Sequence, residues 1–134
     1  MITHLADTDV CIRVLKKRNR EFINRFVEMR KAMAISSVTV FELYAGAENY
    51  EDKHQRCSVI DEFTALVEVI PLDTKAAREA GEIHGLLLRK GMRIGSYDVL
   101  NAGLAISRNL TIATNNLREY ERVEGLKVEQ WSER

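Results

Sequence analysis

Five acidic side chains and one amide carry most of the chemistry that this sequence offers. Asp7 and Asp9 stand in "LADTDVCIRVLK", Glu42 in "ISSVTVFELYAGAE", Asp98 in "RIGSYDVLNAGLAI", and Asn116 and Glu119 in "IATNNLREYERVEGL". Taken singly, each has a structural explanation. Aspartate favours helix starts because it accepts backbone N–H bonds and complements the helix dipole. Thr39 and Glu42 fit a T-x-x-E capping box, in which Glu reaches back to the N-cap amide. Ser96 fits an N-cap that leaves Asp98 in a first turn, and Asn116 with Glu119 repeats the capping pattern. Taken together, acids follow three apolar segments, and another opens the most apolar helical stretch in the chain. Carboxylates gathered in one pocket repel and raise one another's pKa, and a divalent cation removes that conflict. Hard oxygen donors with water in the remaining positions suit Mg²⁺ or Mn²⁺. His4, His54 and His84 are scattered, and Cys11 and Cys57 are far apart with no CxxC. Neither a zinc site nor a disulfide framework is indicated.

The elements that must gather these acids can be read from apolar periodicity. Thr3–Ala6, Met33–Val38, Leu66–Pro71 and Leu110–Thr114 are short apolar runs bounded by turn or cap residues, the mark of buried strands; Lys127–Trp131 is a weaker fifth. Helical stripes fill the gaps: Val10, Val14 and Leu15; Phe22, Phe26 and Met29; Val40, Leu43, Tyr44 and Ala47; Val59, Ile60 and Phe63; Ala76, Ala80, Ile83 and Leu87. From Val99 to Ile106 the pattern is apolar almost all round, which predicts a buried helix. Strands alternating with helices imply crossover connections, a mostly parallel sheet of four to five strands, and helices on both faces. In such sheets ligands bind outside the carboxyl ends of the strands. Asp7 ends the first strand, where that rule places chemistry.

Composition bounds the rest. The 134 residues suit one domain over 1–134. With 46% hydrophobic and 30% charged residues the chain is ordinary globular material, and at zero formal net charge any nucleic-acid surface must be a local patch. No apolar run approaches the roughly 20 residues that span a bilayer, and the N-terminus lacks the pattern of a secretory signal. Two separated thiols fit a reduced, cytoplasmic setting.

The acids in their order and spacing resemble the PIN-domain endoribonucleases, specifically the VapC-type toxins of bacterial toxin–antitoxin pairs. The resemblance covers essentially the whole chain. It implies an α/β/α sandwich and a Mg²⁺-dependent ribonuclease, with Mn²⁺ able to substitute. Asp7 matches the first family aspartate, Glu42 the glutamate and Asp98 the second aspartate; Asp7 and Asp98 would be the direct metal ligands. Asn116 stands where many members carry aspartate, which leaves Glu119 as the fourth acid. Thr8 matches a small hydroxyl residue that supports the metal site, and Asp9 stands where members usually read asparagine. Glu42 and Glu119 would complete the shell through water or bind a second ion.

The resemblance further implies cleavage of structured RNA, commonly tRNA in the anticodon loop, with inhibition of translation. A VapB-type antitoxin would restrain the enzyme, and the chain would form a homodimer. RNA needs positive charge near the acids. "RVLKKRNR" (Arg13, Lys16, Lys17, Arg18, Arg20) reads as helix-end cations, whereas Arg89, Lys90 and Arg93 in "RKGMR" lead directly into the Asp98 segment. Phe22, Phe26, Phe41 and Tyr44 read as core residues, with partner contact as the alternative. Two other functions fit parts of the pattern. One is a non-catalytic RNA- or protein-binding module on the same fold. The other is a phospho-acceptor receiver domain, but its expected phospho-acceptor and Lys-Pro positions are poorly matched.

Overall fold

Strands that must be buried on both sides read as near-continuous apolar runs, and these runs form the centre of the molecule. In the computed structural model, which describes residues 1–132, the chain order is β1 (His4–Ala6), α1 (Thr8–Lys16), α2 (Arg20–Glu28), a 3₁₀ turn (Arg30–Ala32), β2 (Met33–Ser36), α3 (Ser37–Ala47), α4 (Lys53–Leu66), β3 (Glu68–Ile70), α5 (Thr74–Arg89), α6 (Ser96–Arg108), β4 (Thr111–Thr114), α7 (Leu117–Tyr120) and β5 (Lys127–Gln130). All four strand pairings are parallel, in the order β3-β2-β1-β4-β5. The weaker fifth strand is therefore real: β5 pairs along β4, with Thr114 opposite Gln130.

Alternation along each strand sorts the core into two layers. Ala6, Met33, Ile35 and Ala113 pack with residues of α1, α2, α3 and α4 on one face; Leu5, Ala34 and Ile112 pack with α5, α6 and α7 on the other. This is the expected α/β/α sandwich. Phe22 and Phe26 lie in the first layer, around the buried Trp131. Phe41 departs from the core reading: it is 54% exposed and leans on the half-exposed Tyr97. Tyr44 packs at the edge of the core.

Helix ends account for the other differences from the sequence reading. Ser36 ends β2 and caps α3 by accepting the Thr39 N–H at 3.0 Å, so the strand stops two residues sooner than Val38. Thr39 is thus already inside the helix, and Glu42 is released from the capping-box role. Gly95, not Ser96, is the N-cap of α6. Asn116 occupies the N-cap of α7 but makes no side-chain capping bond. Asp7 caps α1 through the Val10 N–H at 3.0 Å, leaving Asp9 in the first turn.

Helix α6 crosses α5 at very short range. A Cβ on Gly103 would lie 2.6 Å from the backbone nitrogen of Ala80 and 2.7 Å from the carbonyl oxygen of Ala76. Backbone atoms cannot swing aside as a flexible side chain can. In an ordinary helix interior, glycine to alanine stabilises by about 1 kcal/mol; here overpacking, typically about 1–3 kcal/mol, opposes that gain. Gly103→Ala is expected to lower the urea midpoint of unfolding, and a raised midpoint would show that the helices part at no cost.

Candidate active site

The strand order reverses between β1 and β4, since β2 and β3 extend one way from β1 and β4 and β5 the other. A parallel sheet opens a crevice at such a point. Asp7 follows β1 there, anchored by its own N–H to the Ala113 carbonyl at 3.0 Å. Thr114 ends β4 beside it and donates its hydroxyl to Asp7 Oδ2 at 2.5 Å. The Asn116 N–H donates to the Thr114 oxygen at 2.8 Å, which leaves the threonine proton for the carboxylate. Asp7 is only 4% exposed.

The other acids come from three helices. Asp98, in the first turn of α6, accepts a hydrogen bond from the buried Tyr120 hydroxyl at 3.0 Å. Gly95 makes room for it, because a Cβ there would meet Asp98 Oδ2 at 2.9 Å. Glu42, on α3, accepts from the Thr8 hydroxyl at 2.7 Å. Glu119, in α7, is gripped by the side-chain amide of Asn116. Asn116 therefore orients the Glu119 carboxylate. Asp9 turns along α1, where its carboxylate pairs with Arg13 at 3.2 Å, while its charge is still felt by Asp7.

The electrostatics tie these acids together. Burial pushes the Asp7 carboxyl from 3.8 up to about 6, and the charges of Asp9 and Asp98 add to the rise, while the bonds from Thr114 and Val10 oppose it. Burial also raises Asp98 to about 6; the Tyr120 bond lowers it, and the neighbouring Glu119 and Glu42 push it up. Burial and the surrounding carboxylates hold the Tyr120 phenol far above its ordinary value, so it keeps the proton that it donates to Asp98. No Lys or Arg is among the principal influences on either aspartate.

Such a pocket suits a hard divalent cation by its donors, all of them oxygen, and by its uncompensated charge. Among the described residues no group of three or more acidic, His or Cys side chains forms a ready-made metal cage. Asp7 and Asp98 could hold an ion, with Glu42 and Glu119 nearby.

Sequence reasoning missed Thr114 and Tyr120. Both were hidden by the search for acids: one is a hydroxyl at a strand end, the other a phenol that reads as core. Ser36, Thr39 and Asn101 were missed as well. They form a buried polar cluster behind Thr8, and an asparagine within an otherwise apolar helix was the available signal. Of the basic residues, Arg89, Lys90 and Arg93 are all exposed on the approach to α6. Their loop is held to the segment after Glu119: Arg122 donates to the Arg93 carbonyl at 2.5 Å, and Lys90 lies 3.9 Å from Glu124.

A parallel sandwich with carboxylates gathered at its switch point defines an α/β protein with an acidic pocket. The PIN-domain family model matches residues 5–126, and the chain belongs to that family. It is 40% identical to the tRNA(fMet)-specific endonuclease VapC of Salmonella typhimurium, over 98% of this chain and 99% of the relative. It is 37% identical to ribonuclease VapC2 of Haemophilus influenzae, over 98% and 99% of the two chains. The crystal structure of DNA-bound VapBC from Salmonella typhimurium superposes with a TM-score of 0.93 at 39% identity, covering 98% of this chain and 100% of that one. The protein is a ribonuclease of the VapC type.

The raised carboxyls have a consequence for stability. A carboxyl whose folded value exceeds its unfolded value favours folding while protonated. That advantage is complete below about pH 4 and is lost as pH rises through about 6. For Asp7, moved from 3.8 to about 6, ionisation costs roughly 3 kcal/mol. In chelator, Asp7→Asn is therefore expected to stabilise the protein at about pH 8, with the gain over wild type vanishing toward about pH 4. Thermal melts across that range check it, and a pH-independent difference would contradict the burial argument.

Proposed function

We propose that this chain is the toxin of a toxin–antitoxin pair, a Mg²⁺-dependent endoribonuclease that cleaves structured RNA and so inhibits translation. The substrate is tRNA, cut in the anticodon loop, and the tRNA(fMet) named for the Salmonella relative is the first to test. The observation that carries this reading is the pair of aspartates, the buried Asp7 and the half-buried Asp98, raised together with no Lys or Arg among the principal influences on either. Asp7 and Asp98 would hold the ion, and Glu42 and Glu119 would complete its surroundings through water or bind a second ion. When bound, a divalent cation polarises the scissile phosphate and lowers the pKa of an attacking water; Mn²⁺ can substitute. Thr114 and Tyr120 each occupy one oxygen of an aspartate and so orient the carboxylate. Arg89, Lys90 and Arg93 hold RNA phosphates at the approach to Asp98, and single-stranded loops are where RNA presents its bases for reading.

The partner is a VapB-type antitoxin, the kind of assembly named for the Salmonella structure. A groove of about 770 Å³ supports this. It is lined by Ile12, Leu15, Leu43, Val59 and Ile60 among others, and it reaches Glu42. A segment lying there would arrive at the acids. The enzyme acts as a homodimer in the cytoplasm. Among the described residues no helix is long and apolar enough to cross a membrane.

Asp7→Asn and Asp98→Asn are each expected to abolish Mg²⁺-dependent cleavage of total tRNA while the circular dichroism spectrum is kept. Mg²⁺-dependent cleavage surviving in either variant would sink the assignment. Replacing Arg89, Lys90 and Arg93 by Ala should weaken RNA binding and flatten its salt dependence, by about 0.7 in log–log slope for each phosphate no longer neutralised. An unchanged slope would remove these residues from the RNA path.

A further inference from the structure

Helix α6 has one polar side chain in its buried face. Asn101 is 1% exposed and lies three residues beyond Asp98, on the same side of the helix. Burying an amide is costly unless its donors and acceptor are used. Its oxygen accepts the Ser36 hydroxyl at 2.5 Å, and its nitrogen donates to the Thr39 hydroxyl at 3.4 Å. Thr39 and Thr8 share a hydrogen bond of 3.0 Å between their hydroxyls, and Thr8 donates to Glu42 at 2.7 Å.

Each hydroxyl has a single proton, and counting them sets the direction of every bond. A carboxylate only accepts, so the Thr8 proton goes to Glu42. The Thr8 oxygen must then accept the Thr39 proton. The Thr39 oxygen must in turn accept, and two donors reach it at 3.4 Å, the Asn101 amide N–H and the Ser36 hydroxyl. Ser36 gives its proton to the Asn101 oxygen while accepting the Thr39 backbone N–H at 3.0 Å. Turning the amide over would set its carbonyl against Thr39, whose proton is committed to Thr8, and would leave that buried oxygen without a donor. Only the observed orientation satisfies the whole chain, and among the described residues no buried side-chain polar atom lacks a partner.

We propose that Asn101 is a positioning residue for the acid pocket: its amide directs the Thr39–Thr8 hydroxyl relay onto Glu42 and so fixes that carboxylate relative to Asp98. The relay spans three helices and the end of β2. Asp98 and Asn101 share one rigid turn of α6, so the helix that brings one acid also sets the aim of another. Neither residue touches the reacting atoms through this relay; the effect is on the geometry of the ion's outer ligand. Hydrogen-bonding partners behind metal ligands typically change metal affinity or activity by about 10-fold or more when removed.

This inference rests on the reading of the pocket as a divalent-cation site, and the test keeps the two apart. Mn²⁺ affinity is measured by calorimetry on the wild type, Asn101→Leu, Glu42→Gln and the double variant, alongside Mg²⁺-dependent tRNA cleavage. Asn101→Leu is expected to weaken Mn²⁺ by about 10-fold in the wild-type background and to have little further effect once Glu42 is Gln. Thr39→Val, which cuts the relay at its middle and keeps the side-chain shape, should reproduce the loss and carries the test if Asn101→Leu does not fold. An equal loss with and without Glu42 would make Asn101 merely structural and overturn the proposal, as would no loss at all. Failure of the wild type to bind Mn²⁺ or to cleave RNA would instead overturn the cation-site reading, and the relay's role with it.

Discussion

Asp7 is a carboxylate with almost no water around it, placed where the parallel sheet reverses its order. Its charge is unfavourable there in the absence of a counter-ion. The surroundings nonetheless fix it from several directions. Its backbone is tied to β4, one oxygen caps α1, and the other takes the Thr114 hydroxyl. Those bonds stabilise the charged form, but burial still wins and leaves the carboxyl at about 6. The group is thus rigidly oriented and electrostatically unsatisfied at once. Asp98 arrives at the same pocket with the same imbalance.

The packing explains how two acids from distant parts of the chain come so close. Asp98 rides on α6, whose position depends on contact with α5 at Gly103, Ala76 and Ala80. Small residues at this crossing let the backbones approach, and the helix is then pinned from the other side by Asn101 on Ser36 and Thr39. Apolar contact sets how deep the helix lies, whereas hydrogen bonds set its register along the sheet. A hydrophobic interface alone tolerates small slips; a buried amide that must meet two particular hydroxyls does not.

Charge is arranged in the same economical way. The chain is neutral as a whole, yet Asp7, Glu42, Asp98 and Glu119 gather near the carboxyl ends of the strands, with Arg89, Lys90 and Arg93 on the loop leading to one of them. Asp9 shows that position alone does not decide an acid's role. Two residues from Asp7, it is paired along its own helix with Arg13 and remains partly in water. Two residues of backbone separate a buried carboxylate from a surface ion pair.

Much of this was legible in the amino-acid order. Apolar runs marked the five strands, the stripe at 3.6 spacing marked the helices, and their alternation implied the parallel sandwich. The resemblance then singled out Asp7, Glu42 and Asp98, and Glu119 beside Asn116. These features are local or periodic, so a linear text can carry them. What the tertiary structure decided were the cross-chain relations. The Thr39 and Glu42 spacing reads as a capping box, but Ser36 takes that cap and frees Glu42 for Thr8. Thr114 and Tyr120 look like a strand end and a core aromatic until Asp7 and Asp98 are brought against their hydroxyls. A hydrogen bond depends on a few tenths of an ångström and on direction, and neither is set by spacing along the chain. They are set only when the two layers of helices close on the sheet.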